Sequence, residues 1–445
     1  MKPGQFLSTA YFMLVIVCLF NITGCDESLT GLPKQYTDIV KYDPNGVLNI
    51  FQDKSLRFAV LEQLITGKAE SYLITKEDLQ KMPILNAGNK NIQNLEGLQY
   101  CKNLTNLDLF ENSINDLSPI ASDTMLTSLN LSLNEISDIS ALEKLNNLEY
   151  VYLRNNSIED ITQLMNDKKI KFLDVSVNKI KNLPSFDGFN DLVQLQVNNN
   201  QISTIGRIEN LANLQNLYID YNQIKVISTI SNLPNLRTLW LDNNGTLSIT
   251  GLQNLPDVEE LYLGGNYFGN ISFISGMPNL KQLGLGIKIT DFSPLYNLKH
   301  IEYLGLYGTN LKDIGFLANL TSLKILDIGG NGITNIDTLS SLKILENLQV
   351  SNNHITDISV VTNFKNLRYL DVNKNVIENI NPIKELQYLN YLDLSYNKIK
   401  YLTPIVDCKG MQNNSYLNLI NNPLTDVAKN DQIKILKDRG VYIAL

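Results

Sequence analysis

Histidine and tryptophan are almost missing from this chain of 445 residues, which holds only His300, His354 and Trp240. Two histidines far apart in sequence offer neither a metal-binding pair nor a proton relay. Cysteine is scarce too, four in all, which rules out a disulfide framework. No GxSxG, HExxH, CxxC or phosphate-cradling glycine loop is present, so the chain shows none of the common signatures of an enzyme. No basic stripe is present either: 37 bases face 45 acids, for a formal net charge of −8, which argues against nucleic-acid binding. Long apolar runs are lacking except for Ala10–Phe20, which at eleven residues is too short to span a bilayer as a helix. No catalytic residue, cofactor or metal is expected.

What the chain has in abundance is one line, written many times. Leu389–Ile399 reduces to L-x-x-L-x-L-x-x-N-x-I, and the same pattern recurs 22 residues earlier at Leu367, Leu370, Val372, Asn375 and Ile377. First apolar positions run in register from Leu104 to Leu389 at steps of 22 residues, with a single step of 21 from Leu280 to Ile301. A last copy starts at Asn414, which makes fifteen. A helical pattern repeats at 3.6 residues, not at 22. This is the signature of a leucine-rich repeat, in which each copy is one coil that buries its apolar face only by stacking on its neighbours.

The fold expected is an α/β leucine-rich repeat solenoid. It has a curved parallel β-sheet on the concave face and short 3₁₀, helical or extended segments on the convex face. Helices cap the N-terminal end and a small cap closes the C-terminal end. The motif asparagine faces inward, where its amide can bond backbone groups left unpaired at the turn after each strand. Asn112 to Asn266 form one such ladder and Asn331 to Asn422 a second. Between them the Leu280 copy reads Leu285-Gly286-Ile287-Lys288-Ile289, and the next carries Thr309 in the asparagine position. Asn199, one residue before the ladder's Asn200, is expected outside the core. Cys101 and Cys408 sit at opposite ends of the array, too far apart to bridge.

The N-terminus has a different character. Lys2, the apolar run and then Ile22-Thr23-Gly24-Cys25 resemble a bacterial lipoprotein signal, in which Cys25 is lipidated and becomes the mature first residue. The organisation expected is a signal peptide over 1–24, lipidated Cys25 with a polar tether over 25–46 and a helical cap over 47–81. A degenerate leading coil and the fifteen copies fill 82–424, and the closing cap 425–445. Thr75 followed by Lys76-Glu77-Asp78 reads as a helix N-cap with acids in the first turn. The resemblance implies a chain in the bacterial cell envelope, lipid-anchored to the membrane and exposed outside the cytoplasm.

Several segments closely resemble the internalin-type leucine-rich repeats of bacteria, over roughly residues 47–445. They are Leu117-Ser118-Pro119-Ile120, Asp291-Phe292-Ser293-Pro294-Leu295, and Ile74-Thr75-Lys76-Glu77-Asp78-Leu79 followed by Leu95-Glu96-Gly97-Leu98. The same repeat class occurs in the protein phosphatase 1 regulatory subunit. The resemblance implies a surface protein that holds a protein partner on its concave sheet, in adhesion or host interaction. Two alternatives stay open: a carbohydrate-binding surface module, and a phosphatase-regulator-like scaffold.

The x positions inside the strand point to the concave side. There Tyr218, Trp240 and Tyr262 occupy one position in three successive copies, with Asp220 and Asp242 beside them. The next copies place Gly264, Gly284, Gly286 and Gly305 on the same face, then Tyr303 and Tyr307. The expectation is an aromatic ridge bordering a bare glycine strip, into which a partner residue packs against Tyr262 and Tyr307. Asp220 and Asp242 join the ridge as partner-binding residues, a solvated acidic row rather than a cation site, and Tyr150, Tyr152 and Tyr369 are expected as unremarkable strand aromatics.

Overall fold

The computed structural model describes residues 42–43, 45–68 and 72–445. Cys25 and the apolar run before it lie outside the described residues. From residue 84 onward the chain is a stack of coils, each giving one three-residue strand to a 17-stranded parallel sheet. The first strand is Ile84–Asn86 and the last Tyr442–Ala444. Neighbours pair in strict register, each leucine beside the leucine one coil on, as in Leu217↔Leu239↔Leu261↔Leu283. The period of 22 dictates this, because a one-residue slip would turn every leucine out of the core. The middle residue of every strand but the closing one is buried, and the flanks are mostly half-exposed. Cys101 and Cys408 are free and buried. Among the described residues, no helix is long and apolar enough to cross a membrane.

The asparagine ladder closes the turns. Asn178 donates its amide to the carbonyls of Leu153, Val175 and Ser176 at 3.0, 3.1 and 3.2 Å. Its Oδ1 accepts from Ile158 N at 3.0 Å. One side chain thus satisfies backbone groups in two coils. The residue before each ladder asparagine turns through the left-handed region, Val177 at φ 56° and Asn199 at φ 55° among them. At the break the 21-residue coil puts buried Ile287 where asparagine would stand. One coil on, the Thr309 hydroxyl donates to Leu306 O at 3.0 Å. The defect is filled by an apolar side chain and a shorter hydrogen-bonding one.

In most coils the convex side takes one of two forms, set by one residue per coil; the Leu389 coil, with Tyr401 there, instead forms a short helix, Thr403–Val406. Where that residue is Asp or Asn, its carboxyl or amide oxygen accepts the N–H two residues on and starts a 3₁₀ turn. Asp116 and Ser118, Asp138 and Ser140, and Asp291 and Ser293 do this at 2.9, 2.8 and 2.9 Å. Thr204, Val226 and Ser248 occupy the position in three central coils. There the chain stays extended, in short strand pairs such as Val226–Ile227 with Ser248–Ile249. Asn182 precedes Leu183-Pro184 and instead accepts from the Thr204 hydroxyl at 2.5 Å.

Both ends are covered. Helix Lys54–Ile65, capped by Asp53, buries Leu56, Val60, Leu61 and Leu64 over the leading coil. The Asp53 side chain also accepts from Gln93 N at 2.8 Å, which ties the helix to that coil. Thr75 and Asp78 form a reciprocal capping box on helix Lys76–Lys81. At the far end a π-turn, Ala428–Gln432, runs into helix Ile433–Asp438. Gly440 (φ 84°) then reverses the chain into the closing strand.

Candidate functional site on the sheet face

The register places Tyr218, Trp240, Tyr262, Gly284 and Gly305 side by side on five adjacent strands. The rings of Tyr218 and Trp240 meet edge to face with centroids 5.0 Å apart, and Trp240 and Tyr262 do so at 5.5 Å. Tyr303 lies one position earlier on its strand, opposite Gln282, yet its ring reaches Tyr262 with centroids 6.0 Å apart. Four rings thus form one continuous ridge. The Tyr262 hydroxyl donates to Gln282 Oε1 at 2.8 Å, which fixes that ring along the next strand. Trp240 is half-buried between its neighbours rather than facing solvent freely.

The glycine strip is not bare. A Cβ on Gly284 would sit 2.7 Å from Tyr262 Cδ1, and one on Gly305 would sit 2.8 Å from the Tyr303 hydroxyl. The protein's own tyrosines fill the space that the sequence left for a partner. Tyr307 stands apart from the ridge. It is 45% exposed and its ring lies across Gly329 and Gly330. The Tyr262–Tyr307 cleft expected from the sequence is therefore replaced by a ridge with Tyr303 as its end.

The acidic row also differs from a solvated one. Asp220 is only 6% exposed, walled in by the side chains of adjacent coils. Asp242 is half-buried and accepts Gly264 N at 2.7 Å. Burial pushes the Asp220 carboxyl up to about 7. Burial, and then the charge of Asp220, push Asp242 up to about 8. Desolvation drives both, since it disfavours the ionised form. No group of three or more His, Cys, Asp or Glu arranged to hold a metal occurs among the described residues.

A second aromatic row escaped the sequence reading. Tyr369, Tyr391 and Tyr416 stack on successive strands with centroids 4.0 and 5.0 Å apart. Tyr150 and Phe172 stack at 5.3 Å. The signal was available, because the three tyrosines share one repeat position. Asp371 lies beside this row, pushed up to about 6 by burial.

The family description "Leucine Rich repeats (2 copies)" matches residues 124–164, 212–254, 299–341 and 345–385. The single-repeat description matches 385–401. No curated protein matches the chain. Among solved structures the chain is similar to an internalin, InlF of Listeria monocytogenes. Identity is 26%, over 85% of this chain and 97% of that one, with a TM-score of 0.54. A leucine-rich repeat protein of Leptospira interrogans is 24% identical over 83% of this chain and 97% of that one, with a TM-score of 0.72. A plant peptide hormone receptor in complex with RGF2 is 20% identical over 78% of this chain and 68% of that one, with a TM-score of 0.61. The chain is a leucine-rich repeat solenoid with a long parallel sheet, a fold it shares with bacterial internalins.

Proposed function

We propose that this chain is a non-enzymatic protein-binding solenoid that holds its ligand on the concave sheet face, at the ridge Tyr218–Trp240–Tyr262–Tyr303. The observation that carries the reading is the ridge itself: four rings in continuous contact on an exposed sheet. Clustered Trp and Tyr dominate binding energy at protein interfaces, and a solenoid's curvature shapes an extended surface for them. Similarity to an internalin and to a peptide hormone receptor supports protein as the ligand class. On this reading the chain is displayed from a bacterial membrane by a lipid on Cys25, as the Ile22-Thr23-Gly24-Cys25 signal implies, in adhesion or host contact.

Trp240→Ala tests the site. Its ring makes two aromatic contacts, so the loss of stability is expected at about 1–3 kcal/mol. The fold should survive, and affinity for a captured protein ligand should fall by at least about 2 kcal/mol. Unchanged affinity would move the site off the ridge. Binding of the purified chain to a glycan array, abolished by the same substitution, would replace protein by carbohydrate.

A further inference from the structure

The inner strand positions carry a one-sided charge. Together with the residue that follows each strand on the same face, they hold eight carboxylates, from Asp108 to Asp393, and a single base, Arg154. Three bases on the rim are matched: Lys171 pairs with Glu149, Lys281 with Glu259 and Lys324 with Glu302, at 2.7, 2.7 and 2.8 Å. On the inner face the charge of Arg154 acts on Asp174 and Asp220, and the acids outnumber it eight to one.

Within this face one place holds buried acceptors to which no described residue donates. Asn198 and Asp220 occupy the same repeat position in adjacent coils, and Asn199 N donates to Asp220 O at 3.0 Å between them. They are 2% and 6% exposed. The Oδ1 atom of each is buried and has no hydrogen-bond donor among the described residues. Buried acceptors are nearly always satisfied in folded proteins, so two neighbouring orphans on a sheet face call for a donor from outside. Asp242 continues the column, with Oδ1 taken by Gly264 N. Arg154 stands in the same column, three coils before Asp220, and donates from Nη1 to Ser176 Oγ at 2.7 Å. Tyr218 and Trp240 flank the carboxylates, and aromatic rings beside acids favour a cationic group with an apolar stem.

We propose that Asn198, Asp220 and Asp242 seat a basic side chain, lysine or arginine, of the protein ligand, with its stem against Tyr218 and Trp240. This rests on the concave-face reading above and names the chemistry it selects. The charge complement is the argument for the occupant: a Lys or Arg brings three to five donors and no acceptor, to a face that carries eight acids and one base.

The test pans a displayed library of random dodecapeptides against the purified full chain. Emission of Trp240, the one tryptophan, is then followed as each recovered peptide is titrated. The expected sequences are enriched in Lys and Arg and change Trp240 emission saturably. Replacing the basic residue by norleucine or citrulline should weaken binding at least tenfold. Asp220→Asn should weaken it as much, while Asp108→Asn, near the far end of the sheet, should not. Asn198→Asp adds a carboxylate at the same place and should tighten binding at least threefold, so the seat stays testable if the Asp220 variant folds poorly. Peptides that bind without basic enrichment, yet are lost on Trp240→Ala, overturn the seat and leave the ridge as a binding site. So does equal binding by wild type and Asp220→Asn. Recovery of no peptide that depends on Trp240 overturns both.

Discussion

Asp123 occupies a core position and gives the clearest handle on stability. It is 1% exposed, and neither carboxyl oxygen has a hydrogen-bond donor among the described residues. Cys101 holds the equivalent place one coil before and Leu145 one coil after, both buried. Burial pushes the Asp123 carboxyl from 3.8 up to about 7, with Lys102 offsetting a part. An acid whose folded pKa lies above its unfolded value is penalised once ionised. The penalty is absent below about pH 4, grows between about 4 and 7, and is complete above that. At about 1.4 kcal/mol per pKa unit, ionisation costs on the order of 4 kcal/mol. Asp123→Leu should therefore stabilise the protein by at least about 2 kcal/mol at pH 8, after allowing for imperfect packing. The gain should shrink as the pH falls towards 4.5, where wild-type Asp123 is protonated. Asp123→Asn, with the same shape and no titration, should show the same pH trend with a smaller gain. Urea midpoints by far-UV circular dichroism at the two pH values measure the difference. A stabilisation independent of pH, or none at pH 8, would refute the burial argument.

Other substitutions probe the ladder, the glycine strip and the anchor. Asn178→Ala removes three amide bonds to backbone carbonyls and orphans Ile158 N, and should cost at least about 1–3 kcal/mol in a urea titration. Asn199→Ala removes no core contact but places alanine at φ 55°, so about 1 kcal/mol is expected rather than none; equal costs for the two would contradict the ladder's role. Gly284→Ala drives a Cβ to within 2.7 Å of Tyr262; it should displace that ring, shift Trp240 emission and destabilise by about 1–3 kcal/mol. Cys25→Ala should abolish incorporation of a fatty-acid probe in cells, and unchanged labelling would remove the lipid anchor from the proposal.

The strands were legible to the residue because a fixed period leaves no freedom. Once Leu104 and Leu389 share a register, the strands Asn106–Asp108 and Tyr391–Asp393 follow. The two convex forms were legible in principle, at the position that is Asp in Asp116 and Val in Val226. The ridge could be read because one repeat position holds Tyr, Trp and Tyr in succession. What the sequence hid is rotameric. Nothing in it says that Tyr262 leans over Gly284, or that Tyr303 crosses to meet it, since those angles come from neighbours one coil away. The burial of Asp220 was hidden for the same reason: strand flanks are nominally exposed, but close-set rows shield one another. Asn199 shows the converse. Its exposed side chain suggests a neutral site, and the constraint lies in its backbone.

The short coil, the glycines and the tyrosines act together. Dropping one residue brings Gly286, at φ 37°, so close to the preceding coil that a Cβ there would lie 3.3 Å from Gly264 Cα. A Cβ there would need Gly264 to give by a few tenths of an ångström, which glycine avoids in the shortened coil. Neighbouring glycines then leave room on the face, and Tyr262 and Tyr303 fold into it instead of standing out into solvent. The Tyr262 hydroxyl is held by Gln282 and its ring is braced by Trp240 on one side and Tyr303 on the other. A ring fixed before the ligand arrives loses little rotamer freedom on binding, and that saving appears as affinity. On this argument the break in the asparagine ladder is the structural condition for a rigid aromatic ridge. Restoring the missing residue, with asparagine in the ladder position, should strengthen the fold and loosen the ridge. A variant in which both stability and ligand affinity rise would separate the two.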